Sequence, residues 1–249
     1  MSTNSQRIKL VVSYDGTDFC GWAAQTGQRT VQGTLTEAVR RITGEESELF
    51  GASRTDSGAH AAGQVVHFDC GIPLPATKWP EVVNKLLPLD VRVVAAQAVD
   101  TEFNSRFSAR FRHYRYTVLR DDLDPFRGRY AYVFTRKLNV EAMQSAGTEM
   151  VGEHDFVAFT EELAPEIENT RRALYRVDVT EVEDEVRIDI EGTAFMRGMM
   201  RRISGFLVEV GRGHRPGEDV LILLGPNRKS LQWPVVLPAR GLCLREVVY

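Results

Sequence analysis

Apolar and polar positions along the chain follow two rhythms, one of strands and one of helices. Over residues 8–14 apolar, β-branched side chains alternate with polar ones, which predicts a strand. Asp-Gly-Thr-Asp at 15–18 predicts a turn. Over 31–43, apolar residues at 31, 35, 38, 39 and 42 fit an amphipathic helix, with Gly44 as its stop. Residues 47–52 and 64–68 read as strands, 77–87 as a helix ended by Pro88, and 91–99 as a strand. This is the order β-α-β-β-α-β.

The second half repeats that order. Residues 111–119 predict a strand and 140–151 a helix. Residues 174–182 and 186–191 alternate around Glu183-Asp184-Glu185 and predict a hairpin. A long helix is expected over 194–210, a short one over 220–224, and a closing strand over 241–249. The expected fold class is therefore α+β. Two similar ferredoxin-like (split) β-α-β-β-α-β units, with antiparallel or mixed sheets, would flank a central basic cleft, the kind of place where ligands bind. The expected domains are 1–104 and 105–249. Residues 152–169, acidic and holding Pro165, are expected to include an irregular surface loop. Residues 1–7 are polar and read as a frayed tail rather than a secretory signal.

Charge changes this picture more than overall composition does. The net charge is −3, which by itself argues against a nucleic-acid partner. Its distribution argues the other way. Residues 101–140 hold nine Lys/Arg against four Asp/Glu, and 193–215 hold five Arg against one Glu. Residues 141–192 hold four Arg against fifteen Asp/Glu, so an acidic flank masks two basic segments. Of 31 basic residues only five are Lys. Arginine forks match phosphate and stack on bases, which suits RNA. The three cysteines are scattered without CxxC spacing, which points to a reducing cytoplasm and away from a disulfide framework or zinc site.

Candidate chemistry concentrates at residues 51–60, Gly-Ala-Ser-Arg-Thr-Asp-Ser-Gly-Ala-His. A loop rich in Gly and Ser can present the Asp56 carboxylate with the Arg54 guanidinium beside it, which favours the ionised form needed of a nucleophile or base. Read alone, such an Asp is more often a turn or cap residue. Residues 106–116 interleave Arg106, Arg110, Arg112 and Arg115 with aromatics. On a strand Arg112, Tyr114 and Tyr116 share one face, and a tyrosine there can stack on a base or simply fill a half-buried strand position. Arg197 and Arg201, four apart on the expected helix, would share its side, with Arg202 adjacent. No Walker loop, GxGxxG or metal-ligand spacing occurs, so no cofactor or metal is expected.

The 51–60 segment, followed by Gly-Gln-Val-Val-His-Phe at 63–68, closely resembles the active-site segment of the tRNA pseudouridine synthase A family. Tyr14-Asp15-Gly16-Thr17-Asp18-Phe19-Cys20-Gly21-Trp22 resembles that family's opening, and the resemblance runs from about residue 8 to 249. Departures are Ser53 for a usual Gly, Ala59 for a usual Val, and Arg197-Gly198 where many members have histidines. The resemblance implies an isomerase that turns uridine into pseudouridine in the anticodon stem-loop of tRNA, at positions 38–40, without cofactor. It implies Asp56 as the catalytic carboxylate, attacking C1′ or the uracil ring or abstracting a ribose proton, with Arg54 and Arg201 as its cationic partners. It further implies Tyr114 against the target uracil, and a cytoplasmic homodimer binding tRNA. The basic segments, with Arg106, Arg110, Arg112, Arg115, Arg197 and Arg202, would then follow phosphates. Two rivals stand beside this reading. One is an RNA-binding module without catalysis. The other is a glycosidic hydrolase, for which Asp69 is the nearest second carboxylate.

Overall fold

The computed structural model describes residues 5–161 and 169–249. Contacts divide the chain into two compact units, Met1–Arg110 with Leu244–Tyr249, and Phe111–Cys243.

The first unit begins with β1 (Gln6–Tyr14). Its period-two pattern buries Ile8, Leu10, Val12 and Tyr14 on one face. Gln6 and Arg7 belong to this strand rather than to a frayed tail, and residues 1–4 lie outside those described. Helix α1 (Val31–Thr43) matches its predicted span. Thr30 caps its start by accepting from the Gly33 N–H, and Gly44 closes it in the left-handed conformation. Its buried stripe is Val31, Leu35, Ala38 and Val39. Next come β2 (Phe50–Gly51), β3 (His60–Cys70), α2 (Trp79–Asn84) and β4 (Val91–Val99). The strand expected over 47–52 is only these two residues, because the chain leaves the sheet at once to form the loop that follows. The helix expected over 77–87 is shorter, and Trp79 anchors it, fully buried with its ring edge-on to Phe68 at 5.0 Å.

In this sheet β1 lies between β4 and β3, with β2 beyond β3, and each of these pairs is antiparallel. That is the strand order of a split β-α-β-β-α-β unit.

The second unit holds β5 (Phe111–Leu119), α3 (Pro125–Gly128), β6 (Tyr132–Val133), α4 (Val140–Thr148), β7 (Gly152–Asp155), β8 (Arg171–Val182), β9 (Glu185–Gly192), α5 (Met199–Gly211) and α6 (Asp219–Leu224). The final strand, β10 (Leu242–Val248), lies beside β3, and from Leu244 onward it belongs to the first unit. The sheet order is β5-β9-β8-β7, antiparallel throughout, with β6 parallel to the end of β5. The β8–β9 hairpin turns at Glu183, whose φ is +58°, as a tight two-residue turn demands. Met143, Ile188, Ile190, Ile203, Phe206 and Leu207 fill the core.

Residues 152–155, at the start of the stretch expected to include a loop, form a strand, while 162–168 lie outside the described residues. The long helix begins at Met199 rather than 194, because Gly198 takes the left-handed conformation (φ +69°, ψ −3°) and ends the preceding path. Arg197 therefore lies off the helix and does not share a side of it with Arg201.

Candidate active site

The loop between β2 and β3 is held by backbone and buried polar groups on both sides. The Ala52 N–H donates to the Val65 carbonyl at 2.8 Å. Gln64, fully buried on β3, accepts from the Ser53 N–H (3.2 Å) and donates to the Ser53 carbonyl (2.6 Å). A buried amide thus stands in for a neighbouring strand and satisfies both backbone groups of Ser53.

The opposite side of the loop rests on the turn after β1. The Trp22 N–H donates to the Thr55 carbonyl at 3.1 Å, and the Tyr14 and Thr55 hydroxyls are hydrogen-bonded at 2.7 Å. The Gly58 N–H and the Ser57 hydroxyl both donate to the Phe19 carbonyl, at 3.3 and 3.2 Å. His60 Nδ1 accepts from the Gly16 N–H at 3.0 Å. Two glycines make this fit possible. A Cβ on Gly16 would lie 1.8 Å from the Ala59 carbonyl oxygen. One on Gly21, which has φ +83°, would lie 2.8 Å from the Thr55 oxygen. The segment from Tyr14 to Trp22 is thus the mould in which Thr55-Asp56-Ser57 is set.

Within that mould Thr55 and Ala59 are buried, Asp56 is half-buried and Arg54 is exposed. Arg54 forms no ion pair among the described residues. The Ala59 N–H donates to the Asp56 carbonyl at 3.1 Å, closing a turn around the carboxylate-bearing residue.

Tyr114 and Arg201 belong to the second unit. On β5 the residues Arg112, Tyr114 and Tyr116 are buried while His113 and Arg115 are half-buried, as strand alternation requires. Phe195 meets the Tyr114 ring edge-on, with centroids 5.0 Å apart. Tyr116 donates to the Pro238 carbonyl at 2.8 Å, and burial pushes its phenol well above the usual range despite the opposing charge of Arg201. It is a neutral core residue. Arg201 donates through Nε to the Leu237 carbonyl at 2.6 Å, and its Nη1 lies 3.6 Å from a Glu161 carboxylate oxygen.

The other arginines occupy unlike places. Arg106 and Arg110 are exposed, Arg106 lying over the ring of exposed Phe107 at 5.4 Å. Arg197 is exposed just ahead of α5. Arg112 is buried and donates to the Thr193 carbonyl. Arg115 donates through Nε to both oxygens of Asp189, at 3.0 and 3.2 Å. His113 also meets Asp189, at 2.6 Å. Burial pushes the Asp189 carboxyl up, but hydrogen bonds from His113 and Arg115 outweigh it and hold it below the usual range. Arg202 donates to the Pro234 carbonyl and lies 6.0 Å from the Trp233 ring.

Asp69 is occupied elsewhere. Arg7 grips it in a fork, Nε to Oδ1 at 2.8 Å and Nη2 to Oδ2 at 2.7 Å, and these hydrogen bonds hold its carboxyl below the usual range. A general acid needs the opposite shift. Asp69 also stands near the far end of β3, roughly 30 Å along the strand from the loop, against the ~5–10 Å that two glycosidase carboxyls require. No cluster of three His, Cys, Asp or Glu side chains able to hold a metal occurs among the described residues, and no described helix is long and apolar enough to cross a membrane.

Gln64, Tyr14 and Thr55 were not singled out from sequence as supports of the loop, nor Glu161 as a neighbour of Arg201. For Gln64 a signal exists: it is an amide inside an otherwise apolar strand. A family model described as tRNA pseudouridine synthase matches residues 10–108 and 146–249. The chain is 40% identical over 245 residues to a tRNA pseudouridine synthase A of Geobacter sp. (strain M21), covering 98% of this chain and 99% of that protein. It is 41% identical over 246 residues to the protein of the same name from Brevibacillus brevis, covering 98% of this chain and 100% of that one.

Proposed function

The chain belongs to the tRNA pseudouridine synthase family, and on that premise we propose that it isomerises uridine to pseudouridine in the anticodon stem-loop of tRNA, at positions 38–40, with Asp56 as the catalytic carboxylate. The C1′–N1 bond breaks, the uracil turns, and C5 bonds to C1′. The C5 proton leaves and N1 takes one up, so the product has the atoms of the substrate. The target base must first leave its stack, at a cost of a few kcal/mol. Asp56 then acts on C1′, on the uracil ring or on a ribose proton. Arg54 and Arg201 stabilise negative charge, and Tyr114, backed by Phe195, packs against the uracil. The exposed arginines 106, 110 and 197 follow phosphates, and Arg112, Arg115 and Arg202 hold the surfaces from which those contacts are made. The protein works as a cytoplasmic homodimer, a reading supported by the family resemblance.

The observation that most supports this reading is the rigid mould around Thr55-Asp56-Ser57. Reacting groups gain most when their position is fixed before substrate arrives. The test is incubation with unmodified tRNA carrying C5-tritiated uridine, followed by mapping of the modified sites. Tritium release with pseudouridine at 38–40 is expected. Free uracil as product, or tight binding without release, contradicts it.

A further inference from the structure

We propose that Phe107 is a stacking platform for an unpaired nucleobase of the RNA substrate, presented by the turn at 104–108. This deepens the RNA-directed reading above and rests on it; that reading gave Phe107 no part.

The turn belongs to the first unit and is bonded closely within itself. The Asn104 side-chain oxygen accepts from the Arg106 N–H (2.9 Å) and from the Phe107 N–H (3.1 Å). The Ser108 N–H donates to the Asn104 carbonyl at 2.9 Å, and the Ser108 hydroxyl accepts from the Asn104 N–H at 3.0 Å. Ser105 pins the turn to the sheet. It is fully buried, its N–H donates to His67 Nδ1 on β3 at 3.1 Å, and its hydroxyl donates to the Phe50 carbonyl on β2 at 2.7 Å. On the other side, the Arg110 N–H donates to the Val248 carbonyl on β10 at 2.8 Å. The backbone is thus fixed before and after Phe107, yet the residue is left 79% exposed. The Arg106 guanidinium lies over the Phe107 ring, 5.4 Å from its centroid.

Exposure alone does not name the partner, and charge does. Phe126 is as exposed, at 83%. It is also firmly set, because the Asp124 side chain accepts from its N–H and from that of Arg127. The five residues before Phe126 include Asp121, Asp122 and Asp124. Residues 103–110, by contrast, hold Arg106 and Arg110 and no Asp or Glu, and both arginines are exposed. A polyanion is drawn to Phe107 and repelled from Phe126. An aromatic ring beside arginines offers both halves of single-strand recognition, a π-face for a base and cations for the adjoining phosphates. The base must be free of its own neighbours to stack there, so the occupant comes from a loop rather than a stem. A ring already fixed in place loses little freedom on binding.

The experiment measures binding of an anticodon stem-loop RNA to the full chain in wild type, Phe107→Ala, Phe107→Leu, Phe107→Trp and Phe126→Ala. Conversion and urea unfolding are followed on the same samples. Phe107→Ala is expected to bind about 5- to 150-fold more weakly, the span of one base–aromatic stack. Phe107→Leu, apolar without a π-face, should fall nearly as far, while Phe107→Trp should bind at least as tightly as wild type. Phe126→Ala should bind like wild type, and no urea midpoint should move. With 2-aminopurine replacing each unpaired base in turn, one position should fluoresce more brightly in the Phe107→Ala complex than in the wild-type complex. Overturning results are unaltered binding in Phe107→Ala, wild-type binding in Phe107→Leu, an equal loss in Phe126→Ala, no responding position in the RNA, or a lowered urea midpoint in every Phe107 variant, which makes the ring a support of the fold. A wild type that binds RNA without converting it sinks the catalytic reading alone. A converting wild type whose Phe107→Ala variant binds as tightly sinks this inference alone, and a wild type that binds no RNA sinks both.

Discussion

The loop around Asp56 and the entry to α5 around Arg201 both place a charged side chain, and they do so by opposite means. The first is gripped through its backbone, with Gln64, Trp22, Phe19 and Tyr14 bonding to main-chain groups or to the adjacent Thr55. The second is gripped through the side chain itself, by the Leu237 carbonyl on Nε and the Glu161 carboxylate near Nη1. A backbone grip fixes where a residue stands without relying on its side chain to do so. A side-chain grip spends part of the functional group on holding it. The difference suits a carboxylate that must be in position before substrate arrives.

Substitutions can break this contrast on either side. Short of removing Asp56, the largest effect is expected at Gly16. Alanine there collides with the Ala59 carbonyl 1.8 Å away, neither of them at the end of a flexible side chain. Gly16→Ala should lose about 3 kcal/mol of stability in urea unfolding, and activity with it. Next is Arg201→Lys, which keeps the charge and loses the Nε donor to Leu237. A hydrogen bond from a charged group is worth ~2 kcal/mol, so kcat/KM should fall at least about tenfold. Tyr14→Phe removes one hydroxyl and leaves Thr55 without that partner, costing about 1 kcal/mol. If the backbone grip is what matters, its loss appears in kcat with KM unaltered, and Thr55→Ser retains more activity than Thr55→Val.

The smallest effect is a pH dependence within the first unit. His67 stacks on Phe50 and its Nδ1 accepts from the Ser105 N–H at 3.1 Å. Burial, helped by the charge of Arg7 and opposed by Asp69, holds its pKa below the ordinary histidine value of about 6.5. The unfolded chain therefore binds the extra proton first. The stability His67 contributes is complete above about pH 6.5 and is lost as pH falls toward the folded-state value. The urea midpoint should fall between pH 7.5 and 5.5, and His67→Gln should flatten that slope. An unchanged slope contradicts the assignment.

Much of the first unit was legible in periodicity. Residues 31–43 and 91–99 stand as read, because their apolar spacing agrees with their caps and with the sheet they join. The start of α5 was not legible. Apolar spacing continues from Phe195 through Met199 to Ile203, and only the backbone conformation of Gly198 shows that the first of these lies outside the helix. The closing strand was legible as a strand but not as a return to the first unit, since partner choice is a long-range property of the sheet. At the site, a Gly- and Ser-rich loop bearing Asp56 drew attention from sequence. The groups that grip it did not, because Gln64 and Thr55 act through main-chain geometry, and side-chain chemistry alone does not reveal it.

Whether the Asp56 carboxylate performs the chemistry from a preformed loop is decided by single-turnover conversion of unmodified tRNA by wild type and Asp56→Asn, with RNA binding and thermal unfolding measured on the same samples. Asp56→Asn is expected to fold and bind RNA like wild type and to form pseudouridine at least about 10³-fold more slowly. Conversion by Asp56→Asn at the wild-type rate would contradict it.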